Sequence, residues 1–64
     1  MKVNGKDVEF NEGSNVLDLL NNYKLDKNKV VVEVNHIILD EENYNNYIIN
    51  KEDIVEIISF VGGG

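Results

Sequence analysis

Residues 53–64 read DIVEIISFVGGG, and this stretch decides the fold. Ile54, Val55, Ile57, Ile58, Phe60 and Val61 make it almost continuously apolar, interrupted by Glu56 and Ser59. Strands covered by neighbours read as near-continuous apolar runs, so this one is expected in the middle of a sheet. Alternation alone leaves its facing open. Charge is tolerated on a solvated face, so Val55 and Ile57 are expected in the core. Glu56, Ile58 and Phe60 then share the other face, where Ile58 and Phe60 form an exposed apolar patch.

A central strand needs partners, and the preceding sequence supplies them. MKVNGKDVEF (1–10) reads as a hairpin around Asn4-Gly5, because a type I′ turn needs positive φ twice. Val3, Val8 and Phe10 can share one face, with Lys2, Asp7 and Glu9 on the other. Val16, Leu19, Leu20 and Tyr23 fall at i, i+3, i+4 and i+7, which predicts a helix with one apolar stripe, and Ser14 is the candidate N-cap. Asp18 near its start and Lys24 near its end suit the helix dipole. Such a short helix is not stable alone, so it is expected to pack across the sheet. KVVVEV (29–34) is a β-branched strand with Val30, Val32 and Val34 inward and Glu33 outward. Asn35-His36 then turns the chain into a short strand at Ile37-Ile38. Asp40 is expected to cap a short helical turn that carries Tyr44 inward, and NKED (50–53) is a polar turn before the last strand. The order strand, strand, helix, strand, short strand, strand implies an α+β mixed sheet with one helix packed across one face.

Composition narrows the function. A chain of 64 residues makes one small domain with a thin core and no room for a pocket of about 300 Å³, the lower end for ligand sites. With no cysteine, neither a disulfide nor a Cys₄ or Cys₂His₂ zinc staple can support it. Six lysines, no arginine and twelve acids give a net charge of −6, which disfavours nucleic acid and anionic membranes and favours partners with a basic face. No apolar run reaches transmembrane length, and the alternating first ten residues do not resemble a signal peptide, so the cytoplasm is expected.

The residues that carry catalysis in most enzymes are scarce. There is no phosphate-binding glycine loop. Ser14, Ser59 and one histidine do not make a nucleophilic triad. His36 is read as a polar turn residue without an orienting partner. Asp40, Glu41 and Glu42 are read as a solvated face near a helix start rather than a cation site, so no metal site is expected.

The glycines remain. The domain is expected to span 1–60, with a flexible tail over 61–64. Four residues from Val61 reach roughly 13 Å when extended. Lacking Cβ atoms, Gly62, Gly63 and Gly64 can thread a channel too narrow for other residues, with a carboxylate at the end. Such a carboxylate reacts only after activation, for instance by ATP as an acyl adenylate. The tail is then a substrate delivered by a folded handle, and the chain a carrier rather than an enzyme.

VNGKDVEF, the VLDLL helix, VVVEVN and above all DIVEIISFVGGG resemble the ThiS family, the small β-grasp (ubiquitin-like) sulfur carriers of thiamine biosynthesis. The resemblance covers the whole chain. It implies that a ThiF-like adenylyltransferase activates the Gly64 carboxylate with ATP, the carrier binding no cofactor of its own. Sulfur from a donor such as a cysteine desulfurase then makes a thiocarboxylate, which serves thiazole formation on a ThiG-like thiazole synthase. Gly63 and Gly64 carry over directly, Gly62 and Val61 match the tail pattern, and Phe60 and Ile58 are placed by position at the partner interface. The family often has Gly-Asp before the last strand, where this chain has Glu52-Asp53. A MoaD-like small subunit of molybdopterin synthase, a carrier of another sulfur pathway, a protein modifier joined to lysines, and a binding module using its sheet face are the alternatives.

Overall fold

A computed structural model describes residues 1–60. Its strands are β1 (Lys2–Val3), β2 (Lys6–Asp7), β3 (Val30–Val34), β4 (Ile37–Leu39) and β5 (Ile54–Ser59), with one described α-helix, α1 (Val16–Asn22). They form a five-stranded sheet in the order β2-β1-β5-β3-β4. β1 and β5 run parallel, and the other neighbours are antiparallel. The mixed sheet and the central last strand are those expected from the sequence.

The strand facings follow from alternation. Val30, Val32 and Val34 are buried, as are Val3 and Val55, and they meet Val16, Leu19 and Leu20 of α1 in one core cluster. Val55 is fully buried and Ile57 packs against the cluster, so β5 faces as expected. Tyr44 also turns inward, 3% exposed, after a 3₁₀ turn at Glu41–Asn43. Asp40 occupies the N-cap of that turn but makes no side-chain cap bond. Ile49 completes the core, burying the loop before β5.

The first hairpin turns at Asn4 (φ 52°) and Gly5 (φ 84°), as expected, although each of its strands spans only two residues. Val8 and Phe10 lie beyond β2 and pack against the core from there.

Two expectations about α1 are corrected. The N-cap is Asn15, not Ser14. The Asn15 side chain accepts from the Asp18 N–H at 2.7 Å, and the Asp18 carboxylate accepts from the Asn15 N–H at 3.1 Å, a reciprocal capping box. Asn15 is still extended because it bridges Ile48, so the helix can begin only at the next residue. Tyr23 does not join the buried stripe and is 43% exposed, because α1 ends at Asn22 and Tyr23 is its C-cap. Lys24 N–H then bonds Asn21 O, and Leu25 N–H bonds Leu20 O, closing a Schellman motif. Lys24 takes the left-handed position of that motif (φ 57°), where glycine is the usual residue because a Cβ clashes there. Lys24→Gly should therefore raise stability by about 0.5–1 kcal/mol, read as a higher urea midpoint with an unchanged slope.

Candidate functional site

The candidate site begins where β5 leaves the sheet. Val30 opposes Ser59 and Val31 opposes Ile58, and the Phe60 N–H donates to Lys29 O at 3.3 Å, so pairing with the β3 side continues to residue 60. On the other side β1 stops at Val3, opposite Val55. The Asn4 side chain takes over there, its Oδ1 accepting from the Ile57 N–H at 2.8 Å while its own N–H bonds Val55 O. One residue thus makes the left-handed turn and satisfies a backbone donor of the central strand. Asn-Gly was legible as a turn signal, but this second role was not.

Ile58 is 49% exposed and Phe60 60%, on the face opposite the core, as expected. Ile58 lies directly across from Val31, and Ile38 and Ile54 are exposed on the same face by register. The result is an apolar surface flanking the end of the strand. The remaining expected site residues, Val61, Gly62, Gly63 and Gly64, lie outside the described residues. A small, partly open cavity beside Phe10, Leu19 and Ile49 has a volume of about 30 Å³, enough for a water but not a substrate.

The opposite end of β5 is held by a group that sequence reading passed over. Asp53 is 4% exposed. Its Oδ1 accepts from the Asn35 side-chain amide at 2.9 Å, and its Oδ2 accepts from the Tyr47 hydroxyl at 2.9 Å and the Asn50 N–H at 2.8 Å. Asn35 Oδ1 in turn accepts from the Ile54 N–H at 3.0 Å. This network joins the β3–β4 turn, the Tyr47 loop and the start of β5. Glu52 beside it has no positive φ, so Glu52-Asp53 makes the turn without needing the glycine common in the resembling family. The only available signal was a carboxylate adjoining a near-continuous apolar run.

Burial alone pushes the Asp53 carboxyl up. Donation from the Asn50 N–H, the Asn35 amide and the Tyr47 hydroxyl, together with the positive N-terminus, outweighs it and holds the pKa below the ordinary value. Burial raises the Tyr47 phenol, and its bond to Asp53 and the carboxylate charge raise it further.

His36 is not alone, contrary to expectation. Its Nδ1 lies 3.8 Å from Glu56 Oε1, and Glu33 faces the same point. Cross-strand register brings these residues together, which spacing along the chain does not reveal.

Residues 1–64 match the ThiS family. The chain belongs to that family. It is 38% identical over 65 residues to the sulfur carrier protein ThiS of Bacillus subtilis (strain 168), covering all of this chain and 98% of that protein. The crystal structure of the thiamine biosynthesis protein ThiS from Geobacter metallireducens superposes with a TM-score of 0.77 at 35% identity, covering 98% of this chain and 96% of that one. The mixed sheet with its single described helix is therefore a β-grasp fold. A protein of Paramagnetospirillum magneticum named thiazole synthase is 36% identical over 62 residues, which cover 97% of this chain but 19% of that protein.

The Asp53 network yields a test with a definite sign. A carboxylate with a depressed folded pKa stabilises the fold above its unfolded value, about 3.9, and that stability is lost as pH falls through the lower folded value. Asp53→Asn should cost about 1–3 kcal/mol at neutral pH, because a buried donor loses its acceptor. Its stability should also fall less steeply than that of the parent below about pH 4. Urea midpoints across that range check both.

Proposed function

We propose that this ThiS-family chain is a sulfur carrier for thiazole formation in thiamine biosynthesis, and that the Gly64 carboxylate is its working group. The observation that carries the reading is the match over residues 1–64, which includes the glycine tail, to a family with a relative named a sulfur carrier protein. A carrier of this kind is a protein co-substrate and not a catalyst.

The chemistry follows from the inertness of a carboxylate. Attack of the Gly64 carboxylate on the α-phosphorus of ATP, in the site of a ThiF-like adenylyltransferase, releases pyrophosphate and leaves an acyl adenylate. Sulfide, or the terminal sulfur of a persulfide supplied through a cysteine desulfurase, displaces AMP. With a persulfide, a thiol then reduces the sulfur–sulfur bond and frees the thiocarboxylate. The ATP belongs to the activating enzyme. The chain has no cysteine, so no thiol of its own can capture the activated end.

The fold contributes presentation. The glycines fit a narrow channel, and the Ile58 and Phe60 face gives the partner an apolar surface beside that channel. The net charge of −6 suits a partner with a basic rim. The segment within the protein named thiazole synthase supports a ThiG-like synthase as the acceptor of the sulfur, because that chain joins a carrier-like unit to the enzyme it would serve.

Incubation with ATP, a ThiF-like adenylyltransferase and sulfide should replace one oxygen by one sulfur at Gly64 by intact mass. Deletion of Gly63 and Gly64 should abolish the change and leave the fold intact by circular dichroism. No mass change with an enzyme active on another carrier would overturn the reading. Ile58→Asp should weaken binding to the adenylyltransferase by about tenfold or more while costing the fold only about 1 kcal/mol. Titration calorimetry and urea melts separate the two effects.

A further inference from the structure

We infer that Glu33, His36 and Glu56 form a binding site for one divalent transition-metal ion of the zinc class. The three residues come from β3, the β3–β4 turn and β5. One ligand atom from each lies within 4.8 Å of the others. Glu33 and Glu56 are directly opposite in the antiparallel register, so both carboxylates stand on the same face of the sheet. His36 reaches over them from the turn, its Nδ1 3.8 Å from Glu56 Oε1.

The donor set selects the ion. Two carboxylate oxygens and one imidazole nitrogen suit zinc and its neighbours, whereas magnesium and calcium favour oxygen donors alone. Bonds of about 2.1 Å at tetrahedral angles place ligand atoms about 3.4 Å apart. The side chains therefore need to close by only about an ångström, a motion that rotation of partly exposed Glu and His side chains supplies. The His36 and Glu56 side chains are 76% and 44% exposed, so an ion can enter from solvent and keep its remaining position for water. Binding also removes the repulsion between like charges directly opposite across a strand pair. Asp40, Glu41 and Glu42 lack these features. They follow one another in the chain, and no imidazole joins them.

The site lies two residue pairs from Ile58 and Val31, which form the next pair on the same face of the sheet. Its assignment rests on the described geometry and stands independently of the carrier reading.

The test uses the untagged full chain and Zn²⁺ alone, followed by titration calorimetry and by the imidazole NMR signals. The chain has one histidine, so those signals belong to His36. One-to-one binding in the micromolar range with a shift of the imidazole resonances is expected. His36→Asn and Glu56→Gln should each weaken it by about tenfold or more. A variant carrying Asp40→Asn, Glu41→Gln and Glu42→Gln should bind as the parent does. Melting curves confirm that every variant is folded. The inference is overturned by the absence of saturable binding up to millimolar Zn²⁺, by binding that His36→Asn and Glu56→Gln leave unchanged, or by equal loss in the triple variant.

Discussion

The Asp53 carboxylate is the point on which the rest of the structure depends. A charge removed from water is unfavourable unless it is hydrogen-bonded, and Asp53 has three donors. Each donor comes from a different part of the chain: the turn after β3, the loop after the 3₁₀ turn at Glu41–Asn43, and the turn before β5. These segments do not form regular ladders with one another, so apolar burial alone would leave their relative positions loosely set. The main chain of the same region completes the junction. Asp53 O accepts from the Lys2 N–H, and Ile54 O accepts from the Asn35 N–H. β5 thus enters the sheet with both neighbours already in register.

That register determines what the other end of the strand presents. Side chains alternate along β5, so fixing Val55 in the core also fixes Ile58 and Phe60 outside it. A slip of one residue would bury Glu56 and expose Val55 and Ile57. The buried carboxylate at one end and the apolar surface at the other are about 20 Å apart along the strand, yet the first determines the second. A small β-grasp chain with no disulfide can in this way hold a defined apolar face.

Much of this was legible in the sequence, for physical reasons that differ from residue to residue. Val30, Val32 and Val34 declare their facing because strand period is two. Asn4-Gly5 and Asn35-His36 declare turns because few residues tolerate positive φ. The N-cap was misplaced by one residue because Ser14 and Asn15 are both good caps, and the choice rests on a bridge to Ile48, far away in the chain. Tyr23 fits the helical stripe, but the helix ends before reaching it. Asp53, Asn35 and Tyr47, like Glu33, His36 and Glu56, are separated in sequence and meet only through pairing. The expected working group was read from the tail and the Ile58 and Phe60 patch from alternation, whereas its extension to Ile38 and Ile54 emerged from register.

The parallel pairing of β1 with β5 carries a consequence for biosynthesis. Asn4 and Ile57 are hydrogen-bonded although 53 residues separate them. The first hairpin, the helix and the β3–β4 hairpin are each too short to hold alone, and the sheet lacks its middle until residues 54–59 follow. Closure is therefore a late event set by long-range contacts, slow for so small a protein. Until then Val3 and Val32 have no strand between them, and the nascent chain exposes the surfaces most prone to pair with a neighbour. A chain without residues 54–59 has every described strand except the one that unites them.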